Sequence, residues 1–239
     1  FSIAQNILHM LRNDSKFTDS EAEILDLILV IHAEHGGGNN STFTSHVVSS
    51  SGTDTYSSIS ASIGSLKGPL HGGANSMVTK MVEDIKKNVN YLNREKLKEY
   101  IRKIFRKEVF DRSGKIYGMG HAVYTLSDPR AVLLKEKAYE LAKEKDALEE
   151  FNLYCDIEEL AKEVGKELKG ENFVICANVD LFSGFVYKLL DIPQNIFTPL
   201  FALSRVAGWS AHRIEQLESG KRIIRPAFKA IDSDGKLLT

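Results

Sequence analysis

Apolar residues recur at helical spacing along most of the chain, which predicts a mainly α-helical protein. The first stripe comprises four aliphatic residues on one helical face, Ile3, Ile7, Leu8 and Leu11. Thr18 stands three residues before Glu21, which is the spacing of a capping box. The apolar set from Ile24 to Ile31 then covers every side of a helix, so this second helix is predicted to be buried.

The same periodicity, interrupted by Gly, Pro and Asn, predicts the remaining elements. Further helices are expected at about 41–50, 54–66, 74–87, 95–107, 129–145, 147–169, from 180 onwards, and at 199–218. Residues 111–127 lack periodicity and are predicted to form an ordered loop. Residues 172–176 are the only segment that resembles a short strand. The predicted fold class is therefore all-α.

Composition and charge narrow the function classes. The 239 residues are 43% hydrophobic and 26% charged, which is typical of a globular protein. Lys and Arg total 31 against 32 for Asp and Glu, so no overall field favours nucleic acid or an anionic membrane. The longest aliphatic run, Leu27–Ile31, is far shorter than the ~18 apolar residues that cross a bilayer. We expect a soluble protein whose anionic ligands are held by local cations.

The cysteines and the first residues indicate the compartment and the extent of the chain. Cys155 and Cys176 lack a metal-binding spacing, and a chain of this size needs no disulfide. A reducing compartment, the cytoplasm, is expected. The sequence begins at Phe1 and enters a helical pattern without the features of a signal peptide. We therefore expect a portion of a longer protein.

Four of the seven histidines stand beside glycine or another histidine at the ends of predicted helices: His32, His35, His71 and His121. His32 lies on the apolar helix and is predicted to be a buried structural residue, whereas His35 at its end is positioned to meet a ligand. A metal site built from His32, His35 and Glu34 is a weaker alternative, because a spacing of three without a third ligand is unlike helical zinc sites. No functional role is predicted for the other three: His9, His46 and His212.

His71 and Asp180 are candidates for acid–base chemistry. His71 precedes the helix that begins near Ala74, and the positive end of that helix disfavours a charged imidazole. A neutral histidine there can donate to an enolate oxygen, although a turn histidine bonded to backbone carbonyls is an equal alternative. Asp180, taken alone, is predicted to cap the following helix. It can act as a base on a carbon acid only with a donor such as His71 nearby.

Three arginines stand beside apolar or rigid neighbours: Arg130, Arg205 and Arg225. Such arginines usually pair bidentately with carboxylates of the protein or of a ligand, and three would suit a small di- or tricarboxylic acid. One structural salt bridge among them is expected. The Gly118–Gly120 pair is a weak nucleotide signal, since it does not follow a βαβ pattern.

Taken together, these segments resemble the citrate synthase family. The blocks occur in the family's order: HAEHGGGNNSTFTSH, GPLHGGAN, GMGHAVY followed by DPRA, NVDLFSG, LSRVAGW and IIRP. The resemblance extends from about Ser2 to Lys229 and includes the citrate and 2-methylcitrate synthases of bacteria and eukaryotes. Because family chains are longer at the N-terminus, the chain is expected to lack the first part of the large helical domain.

The resemblance implies an acyltransferase that condenses acetyl-CoA with oxaloacetate and water to give citrate and CoA, through an enol intermediate and hydrolysis of citryl-CoA. His71 would bind the thioester oxygen, Asp180 would remove the methyl proton, and His121 would polarise the oxaloacetate carbonyl. The oxaloacetate carboxylates would be bound by His35, Arg130, Arg205 and Arg225. CoA would meet Ile116, Tyr117, Gly118, Met119, Gly120 and Asn178. Neither a metal nor a cofactor is implied, because acetyl-CoA is a substrate.

The resemblance also implies a domain organisation and an assembly. A large helical domain would comprise residues 1–72 and 187–239, and a small helical domain, residues 73–186, would close over it. A homodimer is implied, with Arg225 reaching the neighbouring subunit's site. Ala122 after His121 mildly favours citrate. Two alternatives remain: a 2-methylcitrate synthase that uses propionyl-CoA, and a truncated, non-catalytic dimerising domain.

Overall fold

The structure is a computed structural model that describes residues 1–121, 123–220, 222–227, 230, 234 and 236. Its α-helices are α1 (Ile3–Leu11), α2 (Asp19–His32), α3 (Asn40–Ser49), α4 (Thr55–Leu66), α5 (Ala74–Asn88), α6 (Arg94–Phe105), α7 (Pro129–Glu144), α8 (Leu148–Lys169), α9 (Val179–Leu189) and α10 (Phe197–Ser219). A short 3₁₀ helix, Gln194–Ile196, precedes α10. The described residues contain no strand, and the predicted all-α class is confirmed. Ala122, which bears on substrate preference, lies outside the described residues.

Local side-chain chemistry sets the beginnings of several helices. The capping box predicted at the start of α2 is confirmed: Glu21 N–H donates to Thr18 Oγ1 at 3.1 Å, and Thr18 N–H donates to Glu21 Oε2 at 2.9 Å. At the start of α7, Asp128 Oδ1 accepts the N–H of Arg130 at 3.0 Å, and Pro129 occupies the first helical position. These contacts fix where the chain enters each helix.

Two local predictions are wrong. Residues 172–176 form no strand, and the nearest pairing in the described structure is a single antiparallel bridge between Met119 and Ala177. Asp180 does not cap α9, because the cap is Asn178, whose side chain accepts the N–H of Asp180 at 3.0 Å. The carboxylate of Asp180 is thereby free for another role.

The core surrounds α9, whose residues from Val179 to Tyr187 are all buried except Asp180. Helices α5, α7 and α8 pack against it, while α10 packs against α2, α3 and α4. Small residues let α3 and α4 approach closely, and Ser49 Oγ lies 2.8 Å from Ser58 Oγ in a fully buried contact. Within the described ranges, no helix is both long and apolar enough to span a bilayer. The packing of these helices brings the C-terminal end of α2, the N-terminal ends of α5 and α9 and the middle of α10 to one place.

Candidate active site

A cavity of about 130 Å³ lies at this meeting point. Six of the seven residues predicted for catalysis and oxaloacetate binding line it: His35, His71, His121, Arg130, Asp180 and Arg205. A cavity of about 150 Å³ holds a molecule as large as benzene, so the space suits a small organic acid. Arg225 is exposed in the segment after α10 and does not line the cavity.

Arg205, on α10, is a buried cation with an unused donor. Its side chain is almost fully buried, and its Nε donates to the backbone oxygen of His32 at 2.6 Å. Its guanidinium lies over the ring of Phe201, with 4.8 Å between the guanidinium carbon and the ring centroid. Nη1 has no hydrogen-bond partner among the described residues. Burial lowers the pKa of Arg205 to about 10, and an anion in the cavity would compensate this buried charge.

Arg130, in contrast, is paired within the protein. Its Nε and Nη2 donate to the two carboxylate oxygens of Asp128 at 3.0 and 2.8 Å. Burial opposes ionisation of Asp128, but the Arg130 hydrogen bonds outweigh it and hold the pKa of Asp128 below its usual range. The structural salt bridge expected among the arginines is thus Arg130–Asp128. Arg130 nevertheless lines the cavity.

Backbone donors fix the proton position on His121. Its Nδ1 accepts the N–H groups of Val123 and Tyr124 at 2.9 and 3.0 Å. Burial is the largest influence on this imidazole and lowers its pKa, so the ring is neutral near pH 7. A neutral imidazole carries one N–H, which must then be on Nε2. Nε2 therefore presents a donor at the cavity wall, and Nη2 of Arg130, 3.4 Å from it, lies at the outer limit of hydrogen bonding.

His35 is held on the loop after α2 by its neighbour. The carboxylate of Glu34 accepts the backbone N–H of His35 at 2.6 Å and also that of Gly36. Burial and then the charge of Arg130 lower the pKa of His35 to about 4. His35 is therefore neutral, and its Nε2 faces that of His121.

A residue not predicted from the sequence, Ser41, sets the orientation of His71. Its backbone N–H lies 3.3 Å from Nε2 of His71, and its Oγ lies 3.0 Å from the same atom. Because a backbone N–H can only donate, Nε2 is the acceptor, and the neutral ring carries its proton on Nδ1. Burial and then Arg205 lower the pKa of His71. Trp209 Nε1 donates to Ser41 Oγ at 3.2 Å and supports this serine from α10.

Asp180 lies at the start of α9, partly exposed to the cavity. Burial raises the pKa of its carboxyl to about 6. The carboxylate has no hydrogen-bond partner among the residues described. A carboxylate whose pKa lies close to neutrality is suited to act as a general base.

The predicted CoA segment lines a second cavity of about 490 Å³, which adjoins the first through Asn178. Ile116, Tyr117, Gly118 and Met119 form part of its wall. Gly120 does not line it, but its N–H donates to Cys176 O at 2.7 Å and its oxygen accepts from Asn178 Nδ2 at 2.8 Å. Lys115 and Lys169, which were not predicted, add positive charge to the wall.

The alternative of a metal site built from His32, His35 and Glu34 is not supported. His32 is buried, and its Nδ1 lies 2.8 Å from Ile28 O, as expected of a structural histidine. Burial lowers its pKa to about 4. His32, His35 and Glu34 do not form a cluster with ligand spacing in the described structure.

The fold and site define a class of protein: an all-α protein in which neutral histidines, a carboxylate of raised pKa and a buried arginine surround a cavity for a small anion. A sequence model described as "Citrate synthase, C-terminal domain" matches residues 1–227. The chain belongs to the citrate synthase family.

Relatives in this family have similar sequences and structures. The chain is 40% identical over 224 residues to citrate synthase from Synechocystis, covering 93% of this chain and 51% of that protein. It is 37% identical over 227 residues to 2-methylcitrate synthase from Shewanella oneidensis, covering 94% and 54%. A solved structure of citrate synthase from Thermoplasma acidophilum, in a ternary complex with carboxymethyl coenzyme A and oxaloacetate, superposes with a TM-score of 0.75 at 33% identity, covering 95% of this chain and 56% of that chain. The chain thus spans about half the length of these relatives.

Proposed function

We propose that this chain carries a citrate synthase active site, which condenses acetyl-CoA with oxaloacetate and water to give citrate and CoA. The observation that supports this most strongly is the convergence of His71, His121 and Asp180 on a cavity where Arg205 has an unpaired Nη1. The named relatives in the family support the same reaction.

Oxaloacetate binds first to the arginines in this proposal. Nη1 of Arg205 donates to one substrate carboxylate, which compensates the buried guanidinium charge. Arg130, oriented by Asp128, and His35 also line the cavity and bind the substrate there. Oxaloacetate is thereby held with its ketone facing Nε2 of His121, the nitrogen that carries the proton.

Enolisation of acetyl-CoA follows. The carboxylate of Asp180 takes a proton from the methyl carbon while Nδ1–H of His71 donates a hydrogen bond to the thioester oxygen. The two groups act together, because proton removal next to a thioester is uphill unless the developing oxyanion is stabilised in the same step. The buried surroundings that raise the pKa of Asp180 also make it a stronger base.

Carbon–carbon bond formation uses the fixed donor of His121. The enolate carbon attacks the ketone carbon of oxaloacetate, and Nε2–H of His121 passes its proton to the ketone oxygen. Water in the site returns a proton to Nε2 of His121, and Asp180 releases to water the proton that it took from the methyl group. Citryl-CoA results. Water then cleaves its thioester, which releases CoA and citrate and gives the reaction its direction. The acyl-CoA is a substrate, so the proposal requires no separate cofactor and no metal in the reaction.

Binding of CoA and closure complete the proposal. The acyl-CoA lies along the second cavity, where Ile116–Met119 and Asn178 contact it and Lys115 and Lys169 attract its phosphates. Gly120 supports this wall, because its oxygen accepts from Asn178 Nδ2. We assign residues 1–72 and 187–239 to a large domain and residues 73–186 to a small domain. Closure of the small domain excludes water until condensation is complete.

Two free thiols, Cys155 and Cys176, support a cytoplasmic location.

The active unit in this proposal is a homodimer in which Arg225 serves the partner subunit's site. Its exposure in the isolated chain supports this role. Mixing inactive Arg225→Ala and Asp180→Asn chains tests it. Half of the randomly exchanged dimers are hybrids, each with one intact site, so about a quarter of wild-type activity returns. No recovery, despite exchange shown by mass spectrometry, would mean that Arg225 acts elsewhere.

Product analysis tests the reaction itself. The purified chain is incubated with oxaloacetate and acetyl-CoA labelled with ¹³C in the methyl group, and NMR should show the label in a methylene carbon of citrate. Parallel rates with propionyl-CoA test the 2-methylcitrate alternative, which the Shewanella relative favours. A kcat/KM that is higher for propionyl-CoA than for acetyl-CoA would show that propionyl-CoA is the preferred substrate. Formation of dimers without product would support the non-catalytic alternative.

A further inference from the structure

A second cluster of side chains with metal-ligand chemistry lies outside the proposed active site, between α3 and α10. His46 is on α3, while His212 and Glu215 are on α10. One ligand atom from each lies within 4.8 Å of the others. Both histidines are partly exposed and Glu215 is exposed, so the cluster is open to solvent. The citrate synthase reaction proposed above uses none of these residues.

The separation of the two histidine nitrogens matches that of two ligands on one ion, whereas the Glu215 carboxylate lies at hydrogen-bond distance from His212. Nε2 of His46 lies 3.3 Å from Nδ1 of His212, and Oε2 of Glu215 lies 2.9 Å from the same Nδ1. Two nitrogens that bind one zinc ion tetrahedrally, each at about 2.0–2.1 Å, lie about 3.3–3.4 Å apart. The two imidazoles are therefore already at the separation that a tetrahedral ion requires.

The outer nitrogen of each ring is held by an acceptor. Nδ1 of His46 lies 3.0 Å from Oε1 of Gln216, and Nε2 of His212 lies 3.0 Å from Oε2 of Glu34. Each acceptor keeps the proton on the outer nitrogen, which turns the lone pair of the inner nitrogen towards the other ring. This arrangement is the usual support for histidines that bind a metal.

Two facing lone pairs beside a carboxylate repel one another unless a positive charge lies between them. Either a proton on Nδ1 of His212 or a metal ion supplies that charge. A metal ion satisfies all three ligands at once, whereas a single proton is shared by one pair at a time.

We propose that His46 Nε2, His212 Nδ1 and the Glu215 carboxylate bind a divalent transition-metal ion of the zinc class, with water as the fourth ligand. Two histidines and a glutamate are a known protein ligand set for zinc. Glu34 is a positioning residue, because it holds the outer nitrogen of His212. The same carboxylate holds the backbone of His35, so the metal site and the proposed active site share one support.

Metal titration of the untagged, chelator-treated full chain tests the proposal. We expect one Co²⁺ per chain, visible absorption bands of a four-coordinate N/O site, and displacement of Co²⁺ by Zn²⁺ in calorimetry. His46→Gln and Glu215→Gln should each weaken Zn²⁺ binding by at least about tenfold. Loss of a residue that only supports a metal ligand already weakens binding by about that factor, and these variants lose a ligand itself. Circular dichroism checks that each variant is folded, and the exposed Glu215 keeps the test valid if His46→Gln does not fold.

Matched variants separate the cluster from other surface groups. Glu218→Gln removes an exposed carboxylate one turn further along α10, and His9→Gln removes an exposed histidine on α1. Both should bind Zn²⁺ as tightly as the wild type. The proposal is overturned if the wild type binds no stoichiometric Co²⁺ or Zn²⁺. The positive charge in the cluster would then be a proton shared between His212 and its neighbours. Equal weakening by the control and cluster variants would overturn it as well.

Discussion

Nε2 of His121 lies 2.8 Å from Nε2 of His35, and the two rings meet nearly edge to face. Because backbone N–H groups occupy Nδ1 of His121, its Nε2 is the donor of this pair and Nε2 of His35 is the acceptor. In the proposed complex, the ketone oxygen of oxaloacetate replaces Nε2 of His35 as the acceptor of this N–H. The donor is thus oriented before the substrate arrives, and little reorganisation accompanies the reaction.

The pH dependence of turnover follows from the proposed base. Asp180 acts when deprotonated, and burial raises its pKa to about 6. kcat/KM for acetyl-CoA should therefore be nearly constant above pH 7 and fall roughly tenfold between pH 7 and pH 5. Burial lowers the pKa of His71 and of His121, so both rings are neutral near pH 7. Initial rates from pH 5 to 8.5 check this, and a rate that stays constant down to pH 5 would exclude Asp180 as the base.

Substitution of Arg205 tests the anion site. Arg205→Lys keeps the charge but loses the guanidinium fork, so oxaloacetate binding should weaken by at least about tenfold, since a hydrogen bond to a charged group contributes roughly 1.5–3 kcal/mol. Calorimetric titration with oxaloacetate measures the change.

Arg213→Lys is the matched control, because Arg213 is also buried on α10 but donates to Thr55, Ser49 and the backbone of Thr53. It should lower the melting temperature and leave oxaloacetate affinity unchanged. Equal affinity in the Arg205→Lys and wild-type chains would remove Arg205 from the site.

The raised pKa of Asp180 also predicts a stability cost. A carboxyl whose folded pKa lies above its unfolded value of 3.8 binds more protons when folded, so stability decreases as pH rises from about 4 to 6. Asp180→Asn removes this buried charge. Allowing for partial exposure, the variant should be about 1–2 kcal/mol more stable at pH 7, which is roughly 2–8 °C in Tm.

Thermal unfolding of both chains at pH 4 and pH 7 measures this cost. The advantage of Asp180→Asn should be small at pH 4 and reach its full value above pH 6. A variant less stable than the wild type at pH 7 would show that the carboxylate is satisfied in the folded chain. The gain in stability with loss of activity is the usual pattern for a residue kept for function.

Gly118 should be essential to the CoA loop. Its φ is +82°, and the Cβ of an alanine at this position would lie 2.8 Å from Leu181 Cα, which leaves no room for the side chain. Gly118→Ala should raise KM for acetyl-CoA more than KM for oxaloacetate, since the loop lines the second cavity. Gly52 shares the φ of +82° but has open space around it, so Gly52→Ala carries the backbone strain alone. If both variants change KM for acetyl-CoA equally, the loop does not contact CoA.

Much of the fold was predictable because its helices carry local signals. The capping box of Thr18 and Glu21 and the Asp128-Pro129 pair placed the starts of α2 and α7 correctly, since both act within one turn. Residues 172–176 were mistaken for a strand because a short apolar run carries no periodicity that separates a strand from a buried connection. The backbone contacts at Cys176 and Ala177 are made with Gly120 and Met119, in a loop more than fifty residues away.

The site was predictable in its residue types but not in its pairings. Sequence blocks indicated His71, Asp180 and Arg205, because chemistry restricts which residues can occupy such positions. Arg130 pairs with Asp128 two residues away, whereas the unpaired Nη1 of Arg205 results from the packing of distant helices, which no local pattern shows. The support of His71 by Ser41 was likewise missed, although Ser41 falls within the HAEHGGGNNS block, because that contact joins segments thirty residues apart.

The most direct test of the central claim is the rate of CoA thiol release from acetyl-CoA, measured on the purified wild-type and Asp180→Asn chains. We expect release by the wild type that depends on oxaloacetate, and loss of release in Asp180→Asn while its calorimetric affinity for oxaloacetate is retained. Release by Asp180→Asn at the wild-type rate, or no oxaloacetate-dependent release by the folded wild-type chain, would contradict the assignment of this cavity as a condensing active site.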